Sequence, residues 1–586
     1  MSASDPVVST PAPRRRRGGT KHRGGAAAPG ESPTRGAPAR RAEAPPAISG
    51  KAAVKRITAL AALAESLESR DGLRALAAHV RRGSGDAQRM AFCEAAIGDC
   101  IDEAARSTSQ AERWLRCEAA TWAVAWLART RRAGGSAGRL LERLVGQARG
   151  AQPLLARGDT QPAAFVLVVA RLFRDVEACR CLEDSATTAV ATEIERLTTP
   201  AGVVAAADSR AMIDRVVRWT AVREIALATG DPAWPQTTER RWKAAATTAL
   251  RLLGGGGRAL AGAGRLPDCF TTPLLAAAAE LGGRRRRTIE RLRGNRRDDA
   301  HRAGDLDRDL HDPEAAMAIL RSGWGRSGIR VLLDYRHAVP RLEIAVADRL
   351  LVDGPWQWEA WAAGRALEAE GRWTVSCFES DRKATFLEIT APLTGGLQLE
   401  RQVVLLPRDG VLVCADAITA SGAAPPADLR YRGMLTLGAS LDAVPEEETT
   451  EVVLSDTDVR GLALPLAVPE WRGGARGRLD AVDGGLVLTQ EARGGRLYAP
   501  LWLDCTPARI DRPRTWRQLT VAETRQQVPE ATAVGFRVQA GIEQWLLYRS
   551  LDTPRNRTLL GCNVSCEFLL GRVKNSGEIA RTLEIQ

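Results

Sequence analysis

The chain has 586 residues, 45% apolar and 26% charged, which is ordinary globular usage and more than one hydrophobic core organises, so two or three folded units are expected. Its net charge of +13 invites a nucleic-acid partner, but residues 1–56 hold twelve Lys and Arg against Asp5, Glu31 and Glu43, a balance of +9. Subtracting that from +13 leaves +4 for residues 57–586, a nearly balanced body that weakens the nucleic-acid reading.

Residues 1–50 are rich in Pro, Gly, Ala and Arg and show no apolar period, the composition of a disordered basic tail. Arg14 to Arg17, with Lys21 and Arg23, fit a contact with phosphates, anionic lipid or an acidic polymer, and fit a solvated tail equally well. Nucleic-acid contact is thereby confined to the tail and is the lesser expectation. No apolar segment of the secretory type follows the basic start, so a cytoplasmic location is expected, and no apolar run is long enough to predict a membrane span. The eleven Cys show no paired zinc spacing and read as reduced core thiols; neither a metal nor a cofactor is expected.

From residue 51 to 322 the apolar side chains recur at helical spacing. Leu60, Leu63 and Leu67 form one stripe, Leu115, Ala119, Trp122 and Trp126 a second, and Val166, Val169, Phe173 and Val176 a third. Gly-rich breaks at Gly134-Gly135, Gly254 to Gly257 and Gly282-Gly283 separate the helical stretches. Gly134 to Gly138 spells a hydrolase nucleophile elbow, but that chemistry needs a strand before the Ser, and here helical patterns flank it. Arg284 to Arg287, Arg291, Arg293, Arg296 and Arg297 place eight guanidinium groups in fourteen residues, enough to attract carboxylated or sulfated sugars or phosphates, while a solvated helix end is the other reading; Arg284 and Arg287 are taken as substrate contacts. His301 and His311, with Asp298, Asp299 and Asp312, lie in a polar stretch without metal-ligand spacing and read as a linker.

After Trp324 the period changes from 3.6 to 2. Leu342, Ile344 and Val346 alternate with Glu343 and Ala345, and Val534, Phe536 and Val538 with Gly535 and Arg537. Turn signals at Arg408-Asp409-Gly410, Asp483-Gly484-Gly485 and Asp552-Thr553-Pro554 punctuate the strands. Residues 323–586 therefore read as a large antiparallel β-sandwich of two stacked sheets, and the chain as an all-α half followed by an all-β half. Trp356, Trp358 and Trp361 suit either sugar stacking or the sandwich core.

The stretch Tyr335-Arg-His-Ala-Val-Pro-Arg-Leu-Glu-Ile-Ala-Val-Ala-Asp-Arg-Leu-Leu-Val-Asp-Gly-Pro-Trp-Gln-Trp358 resembles a pattern of the heparinase II/III-like polysaccharide lyases: a His, a polar link, a strand, a tight turn and a second strand. A second stretch, Leu399 to Asp416, is similar to that family's hairpin of an Arg-led strand and a return strand ending in Asp. The resemblance implies an α/α toroid packed on a β-sandwich. It also implies a lyase that eliminates beside a uronic acid, a base taking the proton α to the carboxyl and an acid protonating the leaving oxygen. In that scheme His337 and Tyr335 carry the acid/base roles, and Arg336, Arg284, Arg287 and Trp356 hold an anionic polysaccharide. The family draws a Tyr from its toroid, whereas the first Tyr of this chain is Tyr335, and Ala338-Val339-Pro340 follow His337 where the family usually has an acidic residue. A non-catalytic glycan-binding or scaffold protein of the same fold is the alternative.

Overall fold

The computed structural model describes residues 49–586 apart from 65–66, 83–86, 131–133, 231, 262–263, 266–267, 295–304, 421–427 and 474–475. The basic tail, His301, Asp298 and Asp299 lie outside the described residues. Helices run from Gly50–Leu63 to Gly283–Arg293. Ser49 opens the first, its hydroxyl and its carbonyl both accepting from the Ala52 amide. The stripes face one core: Leu60, Ala119, Trp126, Val166 and Val169 are buried in it. The third stripe is shorter than its spacing predicts, because the helix Ala163–Leu172 ends where Phe173 leaves the helical region, and Val176 is 41% exposed. Gly134 to Gly138 form the first turn of the helix Gly134–Ala156, so no strand precedes Ser136 and the elbow geometry is absent. No described helix is long and apolar enough to cross a membrane.

The β half differs from two stacked sheets. Among the described residues it holds sheets of nine, eight, five and four strands, every ladder antiparallel. The nine-stranded sheet begins at Leu310–Asp312 and Met317–Arg321, ahead of the boundary expected at residue 323. Ala318, Leu320, Val331 and Leu333 point into the core shared with the eight-stranded sheet, while Met317, Ile319 and Leu332 on the opposite face join the helical core. The eight-stranded sheet is covered twice. Leu405 and Leu412 face the nine-stranded sheet, whereas Val404 and Val413 pack on Phe536, Trp545 and Phe568 of the five-stranded sheet. Burial on both faces explains why Val411–Ala420 reads as a nearly continuous apolar run.

Two charged side chains tie the nine-stranded sheet to helix ends. Glu343 accepts from the Ser209 amide at 3.1 Å, at the N-terminus of the helix Ser209–Ala228. Arg321, 1% exposed, donates to the Arg251 and Leu253 carbonyls at 2.7 Å each, at the C-terminus of the helix Gln236–Leu252. An acid thus meets the positive end of one helix dipole and a base the negative end of its neighbour.

Candidate functional site

Of the residues singled out from the sequence, Tyr335, Arg336 and His337 lie where the helical half adjoins the loop between Ile329–Asp334 and Arg341–Val346. Arg336 donates to Asp334 Oδ1 at 2.9 Å and to the Ala206 carbonyl, in the connection between two helices, at 2.7 Å. Thr199, in the same connection, donates to Asp312 Oδ2 at 2.5 Å. Trp373 Nε1 holds the loop from the other side through the Ala338 carbonyl at 2.8 Å. His337 stands exposed at the tip.

Tyr335 and His337 do not share a face. The segment from Tyr335 to Pro340 is a run of bends rather than a strand, so two-residue alternation does not apply, and Tyr335 turns inward to 4% exposure. Its hydroxyl lies 2.8 Å from His311 Nε2, and the His311 ring packs 5.0 Å from that of Phe378. Burial, with the Asp312 charge nearby, pushes the Tyr335 phenol up to about 12, and burial pulls the His311 imidazole below its usual value. This pair was not foreseen. Strand register makes it: His311 stands opposite Ala318 and Ala318 opposite Leu333, so Tyr335, two residues beyond Leu333 on the same face, lies diagonal to His311.

Trp356 is 4% exposed, with the Arg401 guanidinium 4.1 Å from its ring, so it is core and offers no stacking platform to a sugar. Arg284 and Arg287 are exposed on the helix Gly283–Arg293. Arg326, in the turn between Met317–Arg321 and Ile329–Asp334, donates to the Arg293 carbonyl, which places that helix at the opposite end of Ile329–Asp334 from His337. The predicted acid/base groups and the predicted substrate arginines therefore form separate surfaces.

All four tyrosines are buried, and each hydroxyl has a protein partner. Tyr335 meets His311, Tyr431 donates to Asp416 Oδ2 at 2.5 Å, Tyr498 to Gln402 Oε1 at 2.9 Å, and Tyr548 accepts from Arg557 Nη1 at 3.1 Å. The carboxylates of Glu388, Glu400 and Glu567 converge closely enough to hold a cation. Arg549, 1% exposed, already fills that position: its Nη2 is bonded to Glu400 and lies 3.2 Å from Glu388 and 2.8 Å from Glu567.

No protein-family model matches the chain, and no curated protein matches it. Solved structures do. A heparinase III superposes with a TM-score of 0.55 at 11% identity over 88% of this chain and 93% of its own. The heparan sulfate lyase of Pedobacter heparinus gives 0.53 at 11% identity over 82% of each chain. A further heparinase III gives 0.53 at 10% identity over 83% of each. At such identities the likeness establishes the fold, a helical toroid-type half followed by antiparallel β-sheets, and nothing finer.

Proposed function

We propose that this chain recognises an anionic polysaccharide on a lyase fold and does not cleave it by elimination. The observation that carries the reading is the commitment of every tyrosine hydroxyl to a buried protein partner. Removal of the proton α to a uronate carboxyl needs a base whose pKa is matched to the working pH and whose atom reaches the sugar. Tyr335, the one tyrosine near the junction, is turned inward and pushed up to about 12 by burial, away from that match. His337 reaches solvent but stands at the far end of a strand from the exposed arginines that would neutralise the carboxylate. The class of ligand is supported by the fold neighbours, which include a heparan sulfate lyase.

The test is incubation of the folded protein with heparan sulfate, chondroitin sulfate and polygalacturonate, following the ultraviolet absorbance of an unsaturated uronate and, in parallel, calorimetric binding. Saturable binding to at least one polymer without an absorbance rise is expected. A rise abolished by His337→Ala would overturn the reading and make His337 the catalytic base. Absence of binding to all three polymers would overturn the ligand class.

A further inference from the structure

We propose that the exposed face of the helix Gly283–Arg293 is the surface on which this chain holds the sulfated or carboxylated sugar polymer. The ligand class rests on the reading above; the location is independent of it and lies away from His337.

The charge of the body is concentrated there. The helix contains Arg284, Arg285, Arg286, Arg287, Arg291 and Arg293 against Glu290, six minus one, or +5. Residues 57–586 sum to +4, so everything else in that range sums to −1, and this one helix accounts for the positive charge of the body. Thr288, Ile289 and Leu292 are buried beneath it and fix it to the body, so its outer side is a rigid row of guanidinium groups rather than a loose tail. Arg285 is drawn inward to Thr247 and Arg291 to Asp305. The Arg284 and Arg286 side chains are 60% and 70% exposed, and Arg287, Arg293 and the neighbouring Arg326 are exposed as well.

The arrangement works against the helix itself. Four arginines stand among the first five residues of the helix, where the dipole is already positive and Arg284 and Arg287 face each other at i, i+3 spacing. A neutral first turn would make a more stable helix, so the charge fits recognition better than folding. The carboxylates on this face are held loosely: Glu290, 61% exposed, beside Arg286, and Asp307, 78% exposed, 3.7 Å from Arg284. Exposed pairs of this kind are weak enough to exchange for a ligand oxyanion, which guanidinium binds through two parallel hydrogen bonds. A nucleic-acid strand is the poorer fit, because the helix carries no aromatic side chain for bases to stack on and the nearby Trp324 is fully buried.

The experiment uses the full chain and the quadruple variant Arg284→Gln, Arg286→Gln, Arg287→Gln, Arg293→Gln, which leaves the inward ties of Arg285 and Arg291 in place. A second variant replaces Arg14 to Arg17 by Gln, to separate the body from the basic tail. Affinities for heparan sulfate and for single-stranded DNA are measured at one ionic strength. The quadruple variant should melt no lower than the parent and lose about tenfold or more in heparan sulfate affinity. The tail variant and His337→Ala should lose less than about threefold. Unchanged heparan sulfate affinity in the quadruple variant, with the parent binding well, overturns this location and leaves the proposed function standing. An equal loss for DNA and heparan sulfate overturns the preference for sugar. A parent that binds no polysaccharide overturns both readings.

Discussion

Arg401 is fully buried between the nine- and eight-stranded sheets, where it makes two parallel bonds of 2.8 Å to Asp416 and a third, of 2.7 Å, to the Trp356 carbonyl. Its guanidinium lies 4.1 Å from the Trp356 ring and 5.3 Å from that of Trp373, while Tyr431 donates to the same carboxylate. Arg401→Met keeps the apolar stem but leaves a buried carboxylate with a single partner. Breaking such a pair costs about 3–5 kcal/mol, a large share of the roughly 5–15 kcal/mol that holds a domain together. Adding Asp416→Leu removes the stranded charge and leaves two orphans, the Tyr431 hydroxyl and the Trp356 carbonyl, at about 1–3 kcal/mol each. The double variant should therefore be less destabilised than the sum of the two single variants by about 2 kcal/mol or more. Urea unfolding followed by circular dichroism, compared at equal slope, measures this. A double variant as unstable as the sum of the singles would refute the coupling.

Glu343→Leu should lower stability by about 1–3 kcal/mol in thermal unfolding, because the Ser209 amide is then left unbonded at a helix start, and Glu343→Gln should lower it by less than about 1 kcal/mol, since the amide oxygen still accepts. Equal losses in the two would remove the hydrogen bond as the cause. Burial, partly offset by the Asp312 charge, holds His311 below its ordinary value, so the unfolded chain takes a proton before the folded one does. This contribution to stability is fully present above about pH 6.5 and is lost as the pH falls through the depressed value. His311→Gln should flatten the stability curve over that acidic range, and an unchanged slope would show that His311 does not set it.

Much of the architecture was legible because both regular structures write their period into the sequence. Leu60 and Ala119 sit in the helical core where the 3.6 spacing puts them, and Leu342 and Ile344 in the sandwich core where alternation puts them. Periodicity reports which face of an element is apolar but not what covers it. Hence Val411–Ala420 did not reveal a third β layer outside it, and Trp356 could be read as a sugar platform although Arg401 stacks on it. The site was less legible than the fold. Tyr335 continues the inward alternation of Val331 and Leu333, but that it meets His311 depends on strand register, and the bends anchored at Arg336 and Trp373 leave His337 exposed.

By itself the sequence determined that a helical half precedes a β half, that no tyrosine lies before Tyr335, and that the body's positive charge is gathered between Gly283 and Arg293, because these are properties of residue order alone. Only the tertiary structure decided that every phenol is spent on an interior partner and that His337 and the exposed arginines lie at opposite ends of one strand. Those facts depend on which strand pairs with which and on which layer covers each face, and long-range packing sets both.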